Sequence, residues 1–140
     1  MGVFNLTMTQ RKTTIALKKI ESNFNKGYIL ESLLQNYHLN VDLLKLICTK
    51  SEVKDFDADK KLKGLVNELA KEIDENQKLK TIVSKKNLKI VKVWVVKMDV
   101  FFKTLKHKYP TNCKTLFLET QKVSGVLNIS AHKIFGATTK

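Results

Sequence analysis

Lys85 to Lys108 reads KKNLKIVKVWVVKMDVFFKTLKHK, and the reading of this stretch decides the fold. Val91, Val93, Val95 and Val96 give it the β-branched character of a strand. Spacing outweighs that composition. Lys89, Lys92, Asp99, Lys103 and Lys106 follow a three-four step broken only at Val96. A period near 3.5 belongs to a helix, whereas a strand repeats every second residue. The other faces carry Leu88, Ile90, Val91, Val95, Met98, Phe101, Phe102 and Leu105. The expectation is one long helix over 85–108, largely buried, with a narrow basic stripe in solvent.

The rest of the chain extends this all-α reading. Proline occurs once, at Pro110, and the 5 glycines are scattered, so little interrupts long helices. Ile15, Ala16, Ile20 and Phe24 recur at helical spacing from Thr9 onward, until Asn25-Lys26-Gly27 ends the segment. A second helix is expected from Tyr28 to Tyr37, with Asn40 capping a third that carries Leu43, Leu44, Leu46 and Ile47. Thr49 to Asp59 is polar and acidic and reads as a surface loop before a helix bearing Leu62, Leu65, Val66, Leu69 and Ile73. Pro110 stops the long helix. Beyond it, a short C-terminal helical hairpin is expected over 111–136. The length of 140 residues and 43% hydrophobic content suit a single compact helical bundle.

Charge is divided unevenly along this bundle. Residues 1–75 hold 12 Lys/Arg against 11 Asp/Glu, while residues 76–140 hold 14 Lys against only Asp99 and Glu119. Nearly all of the net charge of +13 therefore lies in the second half. A concentrated positive potential attracts polyanions, nucleic acid foremost. The residues expected to meet it are Lys85, Lys86, Lys89, Lys92, Lys103, Lys106, Lys108 and Lys114, of which Lys85, Lys89, Lys92, Lys103 and Lys106 would span roughly 30 Å along one helix face at 1.5 Å per residue. All but one of the 26 basic residues are lysine, the exception being Arg11. Lysine meets phosphate as a point charge, whereas guanine readout favours the arginine fork, so weak sequence specificity is expected, for DNA or RNA alike. A helical protein-interaction module is the alternative, docking an acidic partner or building a homo-oligomer through an apolar surface. An exposed apolar patch beside the basic face would mark it.

Two resemblances sharpen these expectations. Val123-Ser124-Gly125-Val126-Leu127-Asn128-Ile129-Ser130-Ala131-His132-Lys133-Ile134-Phe135 resembles the core of a helix-turn-helix, with Asn128 at the turn and Ser130 as the cap. The resemblance implies that Ser130, Ala131, His132 and Lys133 would face DNA. Over the first hundred residues, Ala16-Leu17-Lys18-Lys19-Ile20, Gly27-Tyr28-Ile29, Tyr37-His38 and Val41-Asp42-Leu43-Leu44-Lys45 are similar to the opening helices of HEPN-type domains, helical bundles often found in RNA-cleaving toxins. That family pairs an Arg with a His a few residues later on a late helix. The corresponding stretch, Lys97 to Lys103, has neither, and His107 follows Lys97 by ten residues. The resemblance then implies a binding or scaffold role.

Other chemistry finds no support in the residues. His38, His107 and His132 have no Cys or carboxylate partners at ligand spacing. Asp55, Asp57 and Asp59 lack the glycine and the closing glutamate of a calcium loop. No nucleophile elbow or phosphate loop occurs. A non-enzymatic protein without metal or cofactor is expected. Val93 to Val96 is the longest apolar run, so no membrane span is expected. Cys48 and Cys113, without a C-x-x-C pair or a secretory signal, point to a reducing cytoplasmic setting.

Overall fold

The structure, a computed structural model, describes residues 2–51 and 62–139, with side chains over 12–51 and 62–130. It is all-α. Among the described residues six helices run in the order α1 (Gly2–Asn25), α2 (Ile29–Lys50), α3 (Leu62–Glu72), α4 (Gln77–Ile82), α5 (Lys85–Leu105) and α6 (Cys113–Thr139). They enclose one apolar core in which Trp94, Phe117, Leu33, Leu44, Ile47 and Leu65 are almost wholly excluded from solvent. α2 and α6 make the most extensive helix pair, α1 packs on both, and α3 packs on α5.

Local signals set several boundaries. Gly27 adopts φ 96°, a left-handed conformation that glycine takes without strain, and it turns α1 into α2. The Asn76 side chain accepts from Leu79 N at 3.0 Å and caps α4, while Ser84 Oγ accepts from Asn87 N at 3.1 Å and caps α5. α4 is absent from the pattern-based expectation because six residues with one buried leucine give no periodicity to read.

Two helix breaks expected from the sequence do not occur. α2 runs unbroken through Tyr37 and Asn40, and α6 replaces the C-terminal hairpin with one helix that continues through Asn128. The cause is tertiary in α2. Asn40 turns inward, where its Nδ2 donates to Thr120 O at 3.1 Å and its Oδ1 accepts from Ser124 Oγ at 2.6 Å. In α6 the Thr120 and Ser130 hydroxyls donate within their own helix, to Leu116 O and Val126 O, and Ser124 spends its one proton on Asn40. Polar side chains satisfied in this way no longer compete with the helical backbone. α5 ends at Leu105, slightly before the expected 108, and Lys106 and His107 form the turn that follows. Of the acidic segment, Thr49 and Lys50 close α2 and Ser51 is buried; Asp55, Asp57 and Asp59 lie outside the described residues.

Both cysteines are free and buried. Burial, helped by the nearby Glu72 charge, pushes the Cys48 thiol up to about 12 from an ordinary 9.0. Its thiolate, the reactive form, is thus about 1000-fold scarcer near neutrality than that of a free cysteine. In the native protein Cys48 is expected to resist alkylation at pH 8 over hours and to react only on addition of urea. Burst labelling of Cys48, read by mass spectrometry, would contradict its placement in the core.

Candidate nucleic-acid interface

α5 sets its apolar residues inward and its lysines outward because both repeat at helical spacing. Leu88, Val91, Trp94, Val95, Met98 and Phe101 are buried. Trp94 Nε1 donates to Thr120 Oγ1 of α6 at 2.9 Å, which fixes the rotation of α5 about its axis. With that rotation fixed, Lys85, Lys86, Lys89, Lys92 and Lys103 are all exposed. Lys106 and Lys108 follow in the exposed turn, and Lys114 is exposed in the first turn of α6.

These lysines differ in what they touch. Lys85 forms an ion pair with Asp74, and its hydrogen bond holds the Asp74 carboxyl below the ordinary carboxylate value, with Lys80 adding to the attraction. Lys103 pairs with Asp99 at 3.0 Å, one turn back on α5. Lys86, Lys89, Lys92, Lys106, Lys108 and Lys114 have no carboxylate at ion-pairing distance among the described residues. Their charge is available to an outside anion.

The C-terminal residues fare differently. Ser130 is 1% exposed and turned into the protein, so it cannot face DNA. The side chains of His132 and Lys133 lie outside the described residues. With α6 continuous, no turn separates a supporting helix from a reading helix in this segment.

Sequence reasoning missed two features of this face. Lys97 reaches from α5 to Glu119 of α6 at 2.7 Å, so the only two acidic residues after Glu75 are both occupied by lysines. Val93, Val96 and Val100 stand 52%, 57% and 58% exposed among the lysines. Their steps of three and four were legible in the sequence, but which edge of α5 met solvent depended on the Trp94 contact. Among the rings near this face, Phe117 is fully buried against Phe24, and Tyr109 is exposed beside Lys108.

Among the described residues no three His, Cys, Asp or Glu side chains converge as a metal site. None of the described helices is long and apolar enough to cross a membrane. No family model matches the chain, and no curated protein and no solved structure shows significant similarity to it.

Proposed function

We propose that the protein binds nucleic acid through lysine-to-phosphate contacts made by the outer face of α5, the turn after it and the first turn of α6, with little dependence on base sequence and without catalysis. The observation that carries the reading is the set of six exposed lysines, Lys86 to Lys114, whose charges no described carboxylate neutralises. Phosphate replaces counterions at such a surface, and their release drives binding.

A stability argument points the same way. The first turn of α5 contains no acid and opens with Lys85 and Lys86, which oppose the positive end of the helix dipole. An acidic residue there would stabilise the helix by up to about 1 kcal/mol. Lys86, which no described carboxylate pairs, instead adds to the helix field and deepens the local positive potential, while Lys85 is neutralised by Asp74. Weak base preference is consistent with point charges on flexible stems, and the exposed Tyr109 ring beside Lys108 would favour a single strand if stacking contributes.

The test is titration of the protein into labelled duplex DNA, single-stranded DNA and RNA between roughly 50 and 300 mM salt. The affinity is expected to fall linearly on a log-log plot with a slope of about −5 on duplex DNA if all six lysines contact phosphate. No binding to any of the three polymers at the lowest salt would overturn the proposal. The exposed valines favour a second activity on the neighbouring surface, protein docking.

A further inference from the structure

Val93, Val96 and Val100 form one wall of a groove between α5 and α6, two helices that run antiparallel here. The Lys97–Glu119 ion pair spans the groove and divides it into two depressions. One, of about 240 Å³, is lined by Ile90, Val93 and Trp94 against Lys122 and Val123. The other, of about 330 Å³, is lined by Val96 and Val100 against Thr115 and Leu116. From Ile90 to Val100 the groove follows about 15 Å of helix, or three turns. Three half-exposed valines in a row on a well-packed helix are a surface that water covers poorly.

We infer that this groove docks an acidic amphipathic helix of a partner protein, its apolar residues at i, i+3 or i+4, and i+7 entering the two depressions and its carboxylates meeting the lysines on either side. Charge complementarity selects this occupant. Lys89 and Lys92 flank the valines on α5 and Lys122 stands exposed on α6, none of them paired with a described carboxylate, while Glu119 and Asp99 are already held by Lys97 and Lys103.

The competing occupants fit less well. A second copy of the chain, meeting this face through two-fold symmetry, would set the same lysines against themselves. A nucleic-acid backbone gains nothing from valine. A lipid surface is bound by helices that present Trp, Phe or Leu, and the tryptophan here is buried. A strand finds no sheet edge to extend among the described residues, whereas a helix laid between two antiparallel helices completes ridge-into-groove packing.

The test is selection, against the folded full-length protein, of a displayed library of helix-forming peptides about 16 residues long, with core positions varied between Leu and Ala and flanking positions between Glu and Lys. Enriched peptides are expected to carry Leu at i, i+3 or i+4, and i+7 with Glu beside them. A selected peptide should perturb the fluorescence of Trp94, the only tryptophan. The Val96→Lys/Val100→Lys variant is expected to weaken that peptide about tenfold or more while leaving nucleic-acid affinity equal or higher, because it removes apolar surface and adds positive charge. Replacing Lys86, Lys106 and Lys108, which line neither depression, with Gln should have its main effect on the polymer instead. The two variants therefore separate failure of the groove from failure of the lysine face. Enrichment of Lys-flanked peptides, no enrichment at all, or unchanged peptide affinity in the double variant would overturn the inference. A concentration-dependent dimer of the free protein that the double variant abolishes would assign the groove to a second copy.

Discussion

Replacement of Lys86, Lys89, Lys92 and Lys106 by glutamine is expected to lower nucleic-acid affinity about 1000-fold near physiological salt. The magnitude follows from counterion release. Each phosphate contact contributes a log-log slope of about −0.9 on duplex DNA, so near 0.15 M salt each lysine accounts for roughly 0.7 log units, and four account for about three. The salt slope should become shallower by roughly 3.6 at the same time. All four side chains are exposed and none is held by a described carboxylate, so no internal ion pair is broken. Glutamine also has nearly the helix propensity of lysine. The circular dichroism spectrum should therefore be unchanged.

The control is the loss of charge elsewhere. Lys12, Lys18 and Lys19 are exposed on α1, in the half of the chain whose net charge is only +1. Their replacement by glutamine is expected to change affinity by less than about threefold, since exposed charges more than a Debye length from the bound polymer are screened. A loss as large as that of the α5 variant would show that binding follows total charge and would detach the function from α5.

The long helix was legible because two signals in Lys85–Leu105 agreed on its period, the outward lysines and the inward Leu88, Val91, Trp94, Val95, Met98 and Phe101. The β-branched residues did not divert it. Tertiary burial of Val91 and Val95 outweighs a propensity difference of a few tenths of a kcal/mol per residue. The continuity of α2 and α6 was hidden for the opposite reason. Asn40, Ser124, Asn128 and Ser130 are local turn and cap signals, and only the partner helix decides that Asn40 and Ser124 are spent on each other.

The basic face was likewise readable as composition but not as a surface. Exposure of Lys86, Lys89 and Lys92 followed from the period, whereas the neutralisation of Lys85 by Asp74 and of Glu119 by Lys97 joins separate elements across a fold that no local pattern encodes. The same holds for the valine groove, which requires α6 beside α5. Val93, Val96 and Val100 alone are a spacing; next to Thr115, Leu116 and Lys122 they are a wall.

Substitution of Ser124 by alanine is expected to destabilise the protein by about 3 kcal/mol, although it removes one oxygen atom and places a better helix former in α6. Ser124 is 3% exposed and joins two amides of α2. Its hydroxyl accepts from Asn36 Nδ2 at 2.5 Å and donates to Asn40 Oδ1 at 2.6 Å. Asn36 Oδ1 already has no partner, so without the hydroxyl the whole Asn36 amide is buried unpaired. Asn40 keeps only its bond to Thr120 O. Each buried polar group left unsatisfied costs about 1–3 kcal/mol, more than the net worth of the bond that was removed. Urea unfolding should show a lower midpoint with an unchanged slope. Adding Asn36→Leu to Ser124→Ala is expected to recover at least about 1 kcal/mol, because the orphaned amide disappears together with its partner. A single variant within about 0.5 kcal/mol of the parent would mean that these amides find water and that the Ser124 bridge adds little to the α2–α6 contact.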